Sequence, residues 1–197
     1  MRFDRPLLVT DLDAGGGRPI TIVNLHLRAP LAAAIQGQKL GPFVWKSVAG
    51  WAEGYFLAAL RREAQALELR MLVDSILAED PGRRIAVAGD FNAEDHTTTL
   101  KICVGAEEDT GNGELTAQSL VVLDRTLAAD RRWSVLHHGR PQMLDHILVS
   151  RTLHGHFRSI EVHNEALGDE ALGYAKVRNP PGSYHAALVA EFALDPA

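Results

Sequence analysis

The stretch Arg84-Ile-Ala-Val-Ala-Gly-Asp-Phe-Asn-Ala-Glu94 carries the pattern that decides the fold. Residues 85–89 are small or branched and apolar, which is typical of a short buried strand. The strand ends on an acid and an amide two positions apart, Asp90 and Asn92. Because residues i and i+2 of an extended segment point to the same side, it presents a carboxylate and a carboxamide together. A plain turn, in which Asp90 caps its own backbone, is the alternative interpretation.

A long amphipathic helix is predicted immediately before this strand, over residues 52–79. Its apolar side chains recur every three or four residues and predict the core-facing stripe: Phe56, Leu60, Ala64, Leu67 and Met71, widened by Leu69, Val73 and Ile76. The charged residues between them predict a mostly solvated face: Arg61, Arg62, Glu63, Glu68 and Arg70. Asp80-Pro81-Gly82 is a strong stop signal and leads into the strand.

Further short elements are predicted along the rest of the chain. Apolar runs bounded by turn residues predict strands at residues 7–12, 20–27, 119–123, 133–136, 143–150, 160–163 and 187–192. A Gly-rich turn at 13–19 joins the first two into a hairpin, and a short helix is predicted at 98–104. Residues 28–50 predict a long substrate-facing loop, and residues 164–179 an irregular, mobile segment.

Composition limits the class of protein. The 197 residues are enough for one domain with a sizeable core, and we predict a single domain over 1–197. No stretch predicts a membrane span, and the first residues lack the apolar region of a signal peptide. The single cysteine, Cys103, excludes a disulfide framework and predicts a cytoplasmic protein. The net charge of −5 argues against a broad basic surface that coats duplex nucleic acid.

Three other polar signals accompany Gly89-Asp-Phe-Asn92. In chain order they are Asn24-Leu-His26 on a strand, Leu144-Asp145-His146 at the start of another, and Ser183-Tyr-His185 before the last. With the alternation of helices and strands, they resemble the endonuclease/exonuclease/phosphatase superfamily over nearly the whole chain. The resemblance implies an α+β, DNase I-like four-layer α/β/β/α sandwich of two mixed β-sheets with outer helices. It also implies hydrolysis of phosphoester bonds with Mg²⁺ or Mn²⁺, in a nuclease, phosphodiesterase or phosphatase.

In-line attack on a phosphoester needs a base for the water, donors for the charged oxygens and a cation for the leaving oxygen. Carried over by motif, Asp90 would orient or deprotonate the attacking water, and Asn92 would donate to the phosphoryl group. The resemblance also implies these two residues as metal ligands.

The other motif residues complete the implied site. His185 would contact the phosphate or act as base, and Asp145 would hold and polarise its imidazole. His26 would be a second phosphate contact, supported by Asn24 on the same strand face. Taken alone, a strand histidine such as His26 is more often a hydrogen-bonded core residue. Arg140, Arg62 and Arg70 are further candidates for phosphate contacts, with surface or salt-bridge roles as the alternative.

The sequence also departs from the family pattern. Tyr184 replaces the aspartate of the usual Ser-Asp-His, and we list it as a substrate-binding candidate. The family's principal metal ligand, an earlier glutamate, has no counterpart, so the chain resembles roughly the C-terminal two-thirds of the fold and weak metal binding is expected. These departures favour the alternative function, an inactive member that binds a phosphorylated ligand or a protein. We expect a small phosphoester or short nucleic acid as substrate, no membrane partner, and self-association through an exposed sheet.

Overall fold

The structure is a computed structural model that describes residues 5–14, 18–176 and 182–194. Its strands are β1 (Leu8–Leu12), β2 (Ile20–His26), β3 (Lys39–Gly41), β4 (Val44–Trp45), β5 (Arg84–Asp90), β6 (Val121–Val122), β7 (Val135–His137), β8 (Arg140–Gln142), β9 (Asp145–Val149), β10 (Phe157–His163) and β11 (Ala187–Phe192). Its α-helices are α1 (Val48–Glu79), α2 (Thr98–Val104), α3 (Arg151–His154) and α4 (Glu170–Lys176). Short 3₁₀ turns cover Glu107–Asp109, Gly113–Gln118 and Leu123–Thr126.

The central element is a mixed sheet of five strands in the order β1-β2-β5-β9-β6. β2 and β5 run parallel, joined by α1, whereas the β1-β2, β5-β9 and β9-β6 pairs are antiparallel. The strand predicted at 85–89 therefore lies at the centre of the sheet, which is where its apolar composition requires it to be.

The two faces of this sheet carry two separate cores. On one face, α1 and α2 cover the odd-numbered side chains of β2 and β5, such as Val23, Leu25 and Val87, all 3% exposed or less. On the other face, the β10-β11 hairpin covers the alternate side chains, including Ile20 and Ala86. This alternation follows from the two-residue period of a strand. The face toward β10-β11 is also the one on which the polar strand ends lie.

Helix α1 differs from its prediction in which side it buries. The helix begins after Ser47, whose Oγ accepts a hydrogen bond from the backbone N–H of Gly50 at 3.0 Å, and it ends before Asp80. The predicted core stripe is wrong at its four largest members, which are exposed: Phe56 (63%), Leu60 (48%), Leu67 (51%) and Met71 (64%). The buried side includes Leu69 and Val73, as predicted, together with Ala58, Ala66 and Leu77. Small alanines there let the helix approach the sheet closely, so the stripe with the largest side chains faces outward.

Arg70 is also placed differently from the prediction of a solvated side chain. It is 9% exposed, and its guanidinium donates to the carbonyls of Cys103, Val104 and Gln118 and pairs with Asp74 at 2.8 Å. This residue therefore ties α1 to the end of α2, as the salt-bridge alternative for Arg70 expects, and is not free to bind a phosphate.

The remaining elements follow the predictions with local differences. α2 and β11 have the predicted bounds. The loop predicted at 28–50 contains the β3-β4 hairpin, and the strand predicted at 119–123 is shortened to the two residues of β6 before a 3₁₀ turn. Residues 170–176 of the segment predicted as irregular at 164–179 form α4, and residues 177–179 lie outside the described residues. The predicted turn at 13–19 includes residues 15–17, which lie outside the described residues, although the β1-β2 pairing is antiparallel. Among the described helices, none is long and apolar enough to cross a lipid bilayer.

Candidate functional site

Three strand ends meet in one row at the edge of the central sheet. The register places His26 of β2 beside Asp90 of β5, and Asp90 beside Asp145 of β9. Paired residues of adjacent strands point to the same face, so an imidazole and two carboxylates converge on the side of the β10-β11 hairpin. Loop contacts continue the ladder past the row, since the backbone N–H of Leu27 donates to the Asp90 carbonyl at 2.9 Å.

Gly89 lets β2 and β5 come together directly before this row. Its φ of 143° lies in a region that residues with a side chain rarely adopt. A Cβ at this position would lie 2.0 Å from the Leu25 carbonyl oxygen, and that backbone cannot move without breaking the β2-β5 ladder. The Gly-Asp pair is therefore a close strand contact followed by a functional side chain.

The Asp90 carboxylate is held on three sides. The backbone N–H of Asn92 donates to Oδ1 at 2.8 Å, and the Asn92 side-chain amide donates to Oδ2 at 3.0 Å. His26 Nε2 lies 3.3 Å from the same Oδ2. The second amide hydrogen of Asn92 goes to the Leu27 carbonyl at 3.1 Å, so the Asn92 side chain offers its oxygen as the remaining ligand atom.

Burial sets the protonation of this pair. Desolvation, followed by the nearby charge of Asp145, raises the pKa of Asp90, and these effects outweigh the hydrogen bond from Asn92 and the two histidines. Desolvation likewise lowers the pKa of His26 despite the attraction of Asp90. Both shifts are opposite to those of a stable ion pair, because burial disfavours the charged form of each group.

His185 completes the cluster from the segment before β11. Its Nδ1 lies 2.7 Å from Asp145 Oδ2. The Ser134 hydroxyl donates to the same carboxylate oxygen at 2.7 Å and accepts the backbone N–H groups of Leu144 and Asp145 at 3.0 and 3.1 Å. The hydrogen bond to Asp145 raises the pKa of His185 against the opposing effect of burial. His185 therefore carries a proton on Nδ1 and presents Nε2 as the atom that can give or take one.

Ser134 was missed by the sequence interpretation, although it is fully buried and connects three segments. Besides its hydroxyl contacts, its carbonyl accepts the backbone N–H of Ala186 at 2.8 Å, next to His185. No motif marks an isolated serine in a short strand, so no signal in the sequence could have identified it.

A second missed group lies behind the row. His146 is 1% exposed, and its two ring nitrogens lie 3.0 Å from Asp124 Oδ1 and 2.9 Å from the Ala93 carbonyl. Burial opposes a charge on this ring, but the bonds to Asp124 and Ala93 outweigh it and raise the pKa of His146. Asp124 is fully buried and also receives two hydrogen bonds from Arg132. This network fixes the loop that follows Asp90 and Asn92.

The cluster has a donor set that fits a divalent cation. The ligand atoms of Asp90, Asp145 and His185 lie within 4.8 Å of one another, and all three residues are half-buried. Carboxylate oxygens are the ligands that Mg²⁺ and Mn²⁺ prefer. A cation bound there would offset the burial and the charge of Asp145 that raise the pKa of Asp90.

The other predicted site residues lie around this cluster. Asn24 shares the face of His26 and donates to the Ala88 carbonyl at 3.3 Å, and it is exposed. Arg140 is exposed on β8, opposite His137 in the β7-β8 hairpin. Tyr184 is half-buried against α4, with its ring 5.0 Å from that of Tyr174. Within the described chain, no side-chain hydrogen bond or ion pair joins these three residues to the cluster.

Arg62, the remaining candidate for a phosphate contact, is held between α1 and its neighbours. Its guanidinium donates to the Arg28 carbonyl at 3.2 Å and to the Thr99 hydroxyl at 3.4 Å. These contacts match the structural alternative for this arginine.

Comparison with known proteins gives the family. The model of the Endonuclease/Exonuclease/phosphatase family matches residues 36–168, which include Asp90, Asn92 and Asp145. The chain belongs to this family. His26 and His185 lie outside the matched range, so the family match alone does not include the two histidines of the cluster. No curated protein sequence matches the chain significantly.

Solved structures with the same fold come from this family. The 3′ phosphatase NExo from Neisseria, bound to product DNA hairpin, has a TM-score of 0.52 and 16% identity, covering 94% of this chain and 65% of that one. The family protein from Bacteroides vulgatus has a TM-score of 0.52 and 18% identity over 99% and 59% of the two chains. The one from Beutenbergia cavernae has 0.51 and 15% over 96% and 39%.

These similarities confirm the predicted α+β, DNase I-like fold. At such identities they show the fold alone. The chain spans 39% to 65% of the length of these three structures.

Ser134 gives a prediction of modest size. Ser134→Ala should lower the free energy of unfolding by about 1–3 kcal/mol, because two buried N–H groups lose their acceptor. It should also weaken the hold of Asp145 on His185. Chemical denaturation measures the first effect, and the pH titration of His185 by NMR measures the second. An unchanged titration of His185 would show that Ser134 supports the backbone alone.

Proposed function

We propose that this protein hydrolyses phosphoester bonds by in-line attack of water, with the help of a divalent metal ion. Membership of the family supports the reaction class. The observation that carries the proposal is the convergence of His26, Asp90, Asp145 and His185 in one half-buried cluster at the sheet edge. Proton-transfer groups and candidate cation ligands are there within contact distance of each other.

Asp90 is the group that handles the attacking water in this proposal. Its carboxylate is fixed by Asn92 and His26, so its orientation is set before substrate binds. A raised pKa makes it a stronger base than an exposed aspartate. Asn92 was predicted to donate to the phosphoryl group. Because both of its amide hydrogens are bonded, to Asp90 and to the Leu27 carbonyl, in this proposal it holds Asp90 instead.

His185 and Asp145 form the second proton-handling pair. Asp145 holds the imidazole through Nδ1, and Ser134 holds Asp145, so the ring has one orientation. With its raised pKa, His185 is suited to contact an anionic phosphate oxygen as a cation, or to pass a proton to it. His26, whose lowered pKa keeps it neutral, contacts the phosphate from the other side of Asp90.

Asp90 and Asp145 would hold the metal ion, with Asn92 as a further oxygen ligand. Bound Mg²⁺ or Mn²⁺ would supply positive charge to the nonbridging and leaving oxygens. Because the protein offers few oxygen ligands here, we expect weak binding of the ion in the absence of substrate.

The proposed substrate is a small phosphoester or a short nucleic acid. The 3′ phosphatase NExo was solved with product DNA hairpin, which makes DNA ends one class to test. The net charge of −5 favours ligands held by local contacts, and the exposed Arg140 on β8 remains a candidate for such a contact. We also keep the cytoplasm as the proposed location.

A second candidate function is binding of a phosphorylated ligand or protein without turnover. It is favoured by Tyr184, which stands where the resemblance places an acid and packs on α4. In that case the cluster would hold a phosphate but lack the groups for efficient attack.

Turnover of a substrate panel tests the proposal. The panel holds a phosphodiester, a phosphomonoester, single-stranded and hairpin DNA, and RNA, each assayed with Mg²⁺, with Mn²⁺ and with EDTA. We expect metal-dependent turnover of at least one substrate that EDTA abolishes. Turnover that persists in Asp90→Asn at the wild-type rate would remove Asp90 from the proposed mechanism. Binding of a phosphorylated ligand with no turnover under any metal would favour the second function.

A further inference from the structure

The outward side of α1 carries a continuous apolar stripe that nothing in the described chain covers. Phe56, Leu60, Leu67 and Met71 are each 48% to 64% exposed. At about 100° per residue they fall within an arc of about 60°, and they span about 22 Å along the helix. The buried side of α1, with Ala58, Leu69 and Val73 as members, lies roughly opposite. The helix therefore has two apolar sides, one on the sheet and one facing outward.

The spacing of the stripe reads the same in both directions along the helix. The gaps between its four large residues are four, seven and four positions, with the small Ala64 near the midpoint. In a two-fold antiparallel pair of helices, each residue faces the one at the mirrored distance from the midpoint. Phe56 would then face Met71 of a second copy, and Leu60 would face its Leu67. A partner of unrelated sequence would not require this symmetry.

We propose that this stripe is the interface of a homodimer, in which α1 packs antiparallel against α1 of a second copy of this chain. The small Ala64 at the centre lets the two helices approach closely, and the four large side chains of each copy fill the space on either side. Such a pairing removes from water four large exposed apolar side chains of the helix, which is the main favourable term in association.

The charges beside the stripe fit the same partner. Arg61 and Glu68 are exposed and lie on the same flank of α1, about 20° apart in projection. In the described structure neither side chain has a hydrogen bond or ion pair. In the antiparallel pair, one position of each helix directly faces Glu68 of the other copy. Arg61 lies only about 3 Å from that position along the helix axis. Two symmetric Arg-Glu salt bridges would result, of the kind that residues flanking the interface form in paired helices.

The acidic ends of the interface are compatible with this arrangement. Glu53 of one copy would face Asp74 of the other, which on its own is a repulsive contact. Asp74, however, is already paired with Arg70 at 2.8 Å in the same chain. Helix α1 covers the sheet face opposite to the one that carries His26 and Asp90. Dimerisation through α1 would therefore leave the candidate site of each copy open. The inference is therefore independent of the proposed function.

Sedimentation equilibrium or light scattering of the whole chain, from about 1 to 100 µM, tests the dimer. We expect a dimer whose population rises with protein concentration. Leu60→Glu should raise the dissociation constant of the dimer about 100-fold or more, because each interface loses two buried leucines. Leu8→Glu is the matched control, since Leu8 is 66% exposed on β1 at the edge of the sheet. A monomer throughout this range would overturn the proposal, as would dissociation by Leu8→Glu with no effect of Leu60→Glu.

A charge exchange and a crosslink test the antiparallel geometry. Arg61→Glu and Glu68→Arg should each weaken the dimer about three- to tenfold, and the double variant should restore it. Ala64→Cys should give a covalent dimer with a short bis-maleimide, whereas Leu8→Cys should not. The natural Cys103 will not interfere, because burial raises the pKa of its thiol to about 12. Efficient crosslinking of Leu8→Cys with none of Ala64→Cys would overturn the helix interface. Circular dichroism checks that each variant is folded.

Discussion

Replacing Asp90 by Asn should lower kcat/KM on a phosphoester substrate by about 10³-fold or more. The change keeps the shape of the side chain and removes the charge that handles water and attracts a cation, and proton transfer alone accounts for about 10²–10⁴-fold. The amide keeps one oxygen that can accept from Asn92, and it loses the second of the two acceptors that the carboxylate offers to Asn92 at 2.8 and 3.0 Å. Steady-state kinetics with Mg²⁺ and Mn²⁺ measures the loss.

Three results separate a catalytic role of Asp90 from a structural one. The thermal unfolding temperature of Asp90→Asn should stay at or above that of the wild type, because a buried carboxylate with a raised pKa is a cost to the fold. A divalent ion should raise the unfolding temperature of the wild type and do so much less in the variant. Asp74→Asn on the outer side of α1 is the control, with unchanged kinetics. A variant that keeps most of its activity would remove Asp90 from the mechanism.

The raised pKa of Asp90 also predicts how the activity of the wild-type protein depends on pH. If the ionised form of Asp90 is the active one, the rate falls as pH falls through its pKa, which is raised from the ordinary value of 3.8. The acidic limb of the pH profile therefore lies at higher pH than it would for an exposed aspartate. A cation that favours the ionised carboxylate should move this limb to lower pH as its concentration rises.

The sequence predicted the central strand and the ends that carry the site because both depend on local patterns. Five small or branched apolar residues before Asp90 indicated β5, and the two-residue period indicated that Asn24 and His26 share a face. Which strands are neighbours is not a local property. The register that brings His26, Asp90 and Asp145 into one row is a result of the parallel β2-β5 pair and the antiparallel β5-β9 pair.

The predicted core-facing stripe of α1 was only partly right, for a physical reason that periodicity does not contain. An apolar stripe shows that a helix has something to bury, but not which surface covers it. In α1 the sheet contacts the side with Ala58 and Ala66, where close approach is sterically possible. The larger stripe of Phe56 and Met71 is left outward. Ser134 and His146 were missed because their roles depend on partners eleven or more residues away in the sequence.

Replacing His146 by Ala should lower the free energy of unfolding by about 3 kcal/mol or more at pH 6. The change leaves the Ala93 carbonyl without its donor and removes one of the two cations that bind the fully buried Asp124. Breaking a buried charge pair from one side typically costs about 3–5 kcal/mol. Chemical denaturation at pH 6 measures the loss, and His163→Ala on the exposed side of β10 should cost less than about 0.5 kcal/mol.

The pH dependence of this loss identifies the charge on His146. Its pKa is raised in the folded protein, so its stabilising contribution is fully present below the unfolded value near 6.5 and is lost as pH rises through the folded value. His185 also has a raised pKa, but it contributes equally to the wild type and to His146→Ala and cancels in their difference. The difference in unfolding free energy between wild type and variant should therefore be larger at pH 6 than at pH 9.

An equal difference at the two pH values would show that His146 is neutral and serves through its shape and hydrogen bonds alone. A difference that shrinks at high pH would mean that the loop carrying Asp90 and Asn92 is held by an imidazolium bridging Asp124 and Ala93. In that case deprotonation of His146 at high pH loosens the loop, and the alkaline limb of the activity profile should shift in variants of Asp124. Asp124→Asn, which keeps the side-chain volume, should then lower the pH at which activity is lost.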